Sequence, residues 1–236
     1  MLKYITPVLC LLAAPALAQG LSVKKLDPAL DNILAPGTKI EKVATGFIFI
    51  EGPMWKEGKL WFSDVRGDKV RNYDPKTGKV TVVLNDSGGL KNAPPDKNFG
   101  SNGMITDKDG SILLTRMYIG AIERMDDKGN TKPFLSKYQG KRLNSPNDLV
   151  ASMRDGSIYF TDPDYGRWND WIGSKREPLL GFKAVFRVPH EGGEAQLVVA
   201  KDEFEQPNGL CFSPDESLMY VNDSPRAHVK VFDVAP

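Results

Sequence analysis

Glu51-Gly-Pro-Met-Trp-Lys-Glu-Gly-Lys-Leu-Trp-Phe-Ser63 sets a polar head before a short apolar strand, a tight turn at Glu57-Gly58 and a second apolar strand. The same phrase returns at Ser101-Asn-Gly-Met-Ile, Ser145-Pro-Asn-Asp-Leu and Gln206-Pro-Asn-Gly-Leu, with turns at Asp109-Gly110, Asp155-Gly156 and Asp215-Glu216. Turns of this type join antiparallel strands. Four copies of one hairpin phrase make the chain a repeat protein.

The heads Glu51, Asn102, Asn147 and Asn208 are separated by 51, 45 and 61 residues. Units of this length holding four short strands are the signature of propeller blades. The first blade reads as strands near Met54-Trp55, Lys59 to Ser63, Lys69 to Tyr73 and Val80 to Leu84. The second continues with 111–115, 121–125 and 132–135, the third with 157–161, 184–188 and 196–199, and the fourth with 217–221 and 229–232. Helical periodicity is weak, and Gly and Pro punctuate every eight to twelve residues, so the expected class is all-β. The fourth blade lacks an outermost strand before Pro236, which favours a larger ring that has been cut over a closed four-bladed one. Residues 37–47 read as a strand that would close such a ring.

The first 18 residues have a basic Lys3, an apolar run and Ala16-Leu-Ala18, the three parts of a signal peptide. The expected organisation is a signal peptide at 1–18, an N-terminal segment at 19–45 and a partial propeller at 46–236, secreted or periplasmic. Without Lys3 the 31 basic residues fall to 30, equal to the 30 acidic ones, which gives no electrostatic case for nucleic acid or an anionic membrane. The apolar run is shorter than the roughly 20 residues that span a bilayer. Cys211 is left as a lone thiol, expected buried in an apolar strand.

In a blade the first strand lines the central channel, so the four heads are expected at one rim. One carboxylate and several amide oxygens make a hard-oxygen site suited to calcium or a similar divalent cation. Zinc chosen by nitrogen or sulfur is disfavoured, since His190 and His228 lie late in their blades and only one Cys remains. Asn in such loops is also an ordinary turn residue. Asp64, Asp162 and Asp223 end the second strands at the same rim and read as acids bonding amides of the following turn. The insertion 163–181, with Tyr165, Trp168 and Trp171, overhangs the mouth. No Gly-x-Ser-x-Gly elbow, phosphate loop or dinucleotide fingerprint is present.

Glu51-Gly-Pro-Met-Trp, Gly140-Lys-Arg-Leu-Asn-Ser-Pro-Asn-Asp-Leu-Val150, Asp155-Gly-Ser-Ile-Tyr-Phe-Thr-Asp-Pro-Asp-Tyr-Gly166 and Pro207-Asn-Gly-Leu-Cys-Phe-Ser-Pro-Asp-Glu216 resemble the gluconolactonase family that includes senescence marker protein, or regucalcin. The resemblance runs from about Gly46 to the C-terminus. It implies a six-bladed propeller, of which four blades are present, and hydrolysis of a sugar lactone on a divalent metal. That metal is Ca2+ by preference, with Zn2+, Mn2+ or Mg2+ as alternatives. It also implies Glu51, Asn147 and Asn208 as metal residues, with Asn147 and Asn102 contacting substrate. The family's catalytic Asp, at a Pro-Asp-Gly head of the next blade, is expected beyond Pro236, so no catalytic residue is assigned in this chain. The alternatives are a non-catalytic propeller that binds a ligand or partner, and phosphotriester hydrolysis on the same metal.

Overall fold

A computed structural model describes residues 22–92, 99–168, 173–201 and 203–235. They form two compact units, one up to Gly46 and one from Phe47 onward. The expected signal peptide lies outside the described residues. In the first unit a 3-10 turn at Pro28–Asn32 is capped by Asp27, whose carboxylate accepts from Ala29 N at 2.7 Å. Residues 37–46, where a ring-closing strand is expected, carry no strand and only a lone bridge at Glu41. Gly37 and Gly46 sit at φ of 82° and 94°, outside the range of extended backbone.

The second unit is all-β apart from one short helix. Blade 1 contains β1 (Ile50–Lys56), β2 (Lys59–Asp64), β3 (Lys69–Asp74) and β4 (Lys79–Asn85). Blade 2 contains β5 (Ser101–Thr106), β6 (Ile112–Arg116), β7 (Ala121–Met125) and β8 (Thr131–Leu135). A small hairpin of β9 (Lys137–Tyr138) and β10 (Lys141–Arg142) follows, which the sequence reading missed. Its turn residues Gln139 and Gly140 both have positive φ, as a two-residue hairpin loop demands. Blade 3 contains β11 (Leu149–Ala151), β12 (Ile158–Asp162), β13 (Ala184–Val188) and β14 (Gln196–Leu197), with helix α1 (Tyr165–Trp168) between β12 and β13. Blade 4 contains β15 (Pro207–Phe212), β16 (Leu218–Asp223) and β17 (His228–Asp233). Every blade is an antiparallel meander in chain order, the propeller arrangement. No helix among the described residues is long and apolar enough to cross a membrane.

The core lies between blades. Side chains alternate faces along a strand, so one strand feeds two interfaces. Ile112 and Leu114 of β6 pack toward blade 1 with Trp61, Val70 and Met104, while Leu113 packs toward blade 3 with Ile122, Ile158 and Phe186. In β13, Ala184, Phe186 and Val188 face that same interface, and Val185 joins Phe204, Leu210, Met219 and Val221 toward blade 4. Burial on both faces explains why β6 reads as an unbroken apolar run. Phe160 and Phe186 stack at 5.3 Å between ring centroids, both fully buried. On the outer strand of blade 4, Val229 and Val231 remain 59% and 53% exposed.

Phe186→Ala is expected to cost about 3–5 kcal/mol of unfolding free energy, whereas Val231→Ala should stay within about 0.5 kcal/mol. Urea denaturation of both variants checks the difference; equal losses would contradict a core placed between the blades.

Candidate functional site

The first strands β1, β5, β11 and β15 are successive neighbours around the channel. Each of β1, β5 and β15 breaks register just past its head, between Glu51 and Met54, Ser101 and Met104, and Pro207 and Leu210. Such bulges re-aim a side chain and often flank active sites. The residue after the head is Gly52, Gly103 or Gly209 in three blades and Asp148 in the third. A side chain at Gly52, whose φ is 55°, would strike the carbonyl of Asn102, and one at Gly103 would come within 2.5 Å of Asp148 Oδ1. The first strands of blades 1 and 2 therefore approach the next blade too closely for anything but glycine at Gly52 and Gly103, whereas blade 3 has room for Asp148 at the same position.

All four expected head residues meet. Glu51, Asn102, Asn147 and Asn208 line one cavity of about 210 Å3 with Phe49, Val65, Met117, Tyr165 and Ser224. Asn102 Nδ2 turns to Met117 Sδ at 3.6 Å, and Asn208 Nδ2 turns to Ser224 Oγ at 3.1 Å and Tyr165 Oη at 3.5 Å. These contacts leave the amide oxygens as the groups available to a ligand. Asn147 is 2% exposed, and its Oδ1 is buried with no hydrogen-bond partner. An orphaned buried acceptor costs about 1–3 kcal/mol, so this oxygen is set toward a donor or a cation.

The charge distribution points the same way. Burial raises the Glu51 carboxyl above its usual range, the charge of Asp148 raises it further, and the Gly52 amide opposes both. Burial likewise raises Asp148, against amide bonds from Leu149 and Leu210. Neither acid has a basic partner in an ion pair among the described residues. The Glu51 carboxylate and an orphaned amide oxygen suit a divalent cation, with Asp148 beside the cavity adding negative charge. Among the described residues no three His, Cys, Asp or Glu side chains cluster as ligands, so amide oxygens would make up most of the donor set. Asp148 was missed in the sequence, yet the signal was present: it is the one non-glycine after a head.

Asp64, Asp162 and Asp223 do lie at the rim ends of their strands, but they bond a different loop from the one expected. Asp162 accepts from Asn144 N at 2.8 Å and Ser145 N at 2.7 Å, and Asp223 accepts from Glu205 N at 2.7 Å and Gln206 N at 3.0 Å. Asp64 accepts from Ile48 N at 3.2 Å and Phe49 N at 3.4 Å and also from Gly67 N in the following turn, while Asp223 reaches its following turn through an ion pair with Arg226 at 3.7 Å. In each blade the acid thus grips the amides two and three residues before the head. The approach to the first strand leaves those amides without ladder partners, which is why they win the carboxylate. Blade 2 departs from the scheme: Arg116 stands in the acid's place and donates to Ser87 O at 2.9 Å and Asp86 O at 2.6 Å, just past β4, while Gly100 N, two residues before Asn102, donates to Val65 O at 2.7 Å.

Other expectations divide. Tyr165 lines the cavity from α1, and Trp168 is half exposed beside it with ring centroids 5.8 Å apart. Trp171 lies outside the described residues. Cys211 is exposed rather than buried, because Leu210 faces the blade 3–blade 4 core and strand alternation turns the next residue outward. His190 pairs with Asp107, in the turn after β5, at the opposite end of that strand from its head.

The model of the SMP-30/gluconolactonase/LRE-like region matches residues 49–236. The chain belongs to that family. The resemblance carried by the head motifs is thereby borne out. A gluconolactonase of Zymomonas mobilis is 36% identical over 215 residues, covering 89% of this chain and 58% of that protein. The solved gluconolactonase of Xanthomonas campestris superposes with a TM-score of 0.73 at 32% identity, covering 83% of this chain and 62% of that one. The adipocyte plasma membrane-associated protein of Rattus norvegicus is 25% identical over 235 residues, covering 93% of this chain and 59% of that protein. The chain thus spans about three fifths of the length of these family members.

Burial lifts the fully buried Asp162 carboxyl to about 7 against its two amide bonds. The folded protein then holds this proton more tightly than the unfolded chain, whose Asp titrates near 4. The stability it confers is present below about pH 4 and is lost as pH rises to about 7, with no further change above. The Tm of wild type relative to Asp162→Asn should fall across that window and then level; a rising difference would show an acid ionised throughout.

Proposed function

We propose that this chain forms the larger part of an exported, metal-dependent lactone hydrolase of the gluconolactonase type. Glu51, Asn147 and Asn208 hold a divalent cation, Ca2+ by preference, and Asn102 and Asn147 contact the substrate. The observation that carries this reading is the buried Oδ1 of Asn147, without a hydrogen-bond partner among the described residues, on a residue that lines one cavity with Glu51, Asn102 and Asn208. The family assignment and the 36% identity to a gluconolactonase supply the substrate class, a small cyclic ester. Export rests on the three-part form of residues 1–18.

A divalent cation held there supplies Lewis-acid polarisation of an ester carbonyl. This chain's residues do the rest of the placing. Glu51 brings the one formal charge among the assigned ligands, and neutral amides leave most of a cation's charge uncompensated. Phe49, Val65, Met117 and Tyr165 form the apolar wall against which a lactone ring packs, limiting water to the polar side. The amide nitrogens of Asn102 and Asn208 are held by Met117, Ser224 and Tyr165, which keeps their oxygens from rotating away from the cavity. The family's proton-transferring Asp is assigned to none of the cavity residues.

Aldonolactone hydrolysis with Ca2+, Zn2+, Mn2+ or Mg2+ tests the reading. Glu51→Gln should lower kcat/KM by about 100-fold or more and weaken Ca2+ binding in calorimetry, while equal activity would remove Glu51 from the metal site. Calcium binding without turnover of lactones or phosphotriesters would favour a non-catalytic ligand-binding propeller.

A further inference from the structure

One contact recurs at each junction between blades. Ser63 Oγ on β2 donates to the carbonyl of Asn102 at 2.7 Å, Thr115 Oγ1 on β6 to that of Asn147 at 2.9 Å, and Thr161 Oγ1 on β12 to that of Asn208 at 2.7 Å. In each case a hydroxyl from the second strand of one blade holds the head of the following blade. All three hydroxyl residues are fully buried. Each stands one position before Asp64, Arg116 or Asp162, the residue that grips the loop before its own blade's head.

We propose that Ser63, Thr115 and Thr161 are positioning residues, each setting the direction in which the next blade's cavity amide points. The inference rests on the lactonase reading above. The physical argument begins at the bulge. A head at a register break, as Asn102 and Asn208 are, or before the start of its strand, as Asn147 is, presents its carbonyl outside its own ladder, so its peptide plane needs an external partner. A hydroxyl there fixes that plane, and with it the Cα–Cβ direction of the Asn. Thr161 adds a second restraint, because its Oγ1 also accepts from Asp148 N at 3.1 Å while its main chain exchanges bonds with Asn147 N and Asp148 O. One side chain therefore ties Asn147-Asp148 to Asn208, two heads of the same cavity. A small loss of orientation at oxygen ligands lowers metal affinity by about 10–100-fold when such supports are removed in other sites.

The test removes each hydroxyl separately, as Ser63→Ala, Thr115→Val and Thr161→Val, with Thr161→Ser as the rescue and Thr77→Val in an exposed turn as the control. Calcium affinity is read by calorimetry, and the side-chain amide resonances of Asn102, Asn147 and Asn208 are read by NMR without metal. Thr161→Val should weaken Ca2+ about 10-fold and shift the Asn208 amide, Thr161→Ser should restore both, and the control should change neither. Ser63→Ala should shift Asn102 alone and Thr115→Val should shift Asn147. Wild-type Ca2+ affinity in a folded Thr161→Val, or equal shifts in all three amides, would overturn the proposal. If wild type binds none of the four metals, the proposed function falls, and the amide shifts alone decide the positioning role.

Discussion

The structure depends on one constraint: the inner strands of blades 1, 2 and 3 meet so closely that their backbones leave no room for side chains at two of the crossings. Glycine answers it at Gly52 and Gly103, and the register break beside each head follows from it. A broken ladder leaves carbonyls and amides that must find partners elsewhere. The second strands provide them, with a hydroxyl for the next blade's carbonyl and a carboxylate for their own blade's amides. The cavity is what remains in the middle once those demands are met, and the four head residues line it.

Much of this was legible in the sequence. The turn pairs placed nearly every strand to within a few residues, because the chemistry of Glu-Gly and Asp-Gly turns is local and the hydrophobic period between turns is two. Register among Glu51, Asn102, Asn147 and Asn208 was legible for the same reason: a repeated unit repeats its geometry. The family motifs then supplied a role for each head.

What escaped the sequence was contact across blades. Nothing in the spacing of Ser63 and Asn102, or Thr161 and Asn208, says that one bonds the other, since the partners are 39 and 47 residues apart and belong to different sheets. The Asp anchors were found as residues and misread in direction, because a following turn is the nearer neighbour in sequence while the preceding loop is nearer in space. Cys211 was read from the apolar character of its strand rather than from its face. Asp148 was overlooked although it departs from glycine in an otherwise uniform position, a pattern visible only when the four heads are set beside one another.

Arg116 has a consequence for how such a chain can be rearranged. It stands where the other blades have an acid, and it grips the carbonyls of Asp86 and Ser87 just past β4 rather than the amides before its own head, so blade 2 is anchored to the end of blade 1. A blade moved from one position to another would bring an acid to face carbonyl oxygens, or an arginine to face amides. The modules look interchangeable in outline, yet their order around the ring is written in the sign of a single charge.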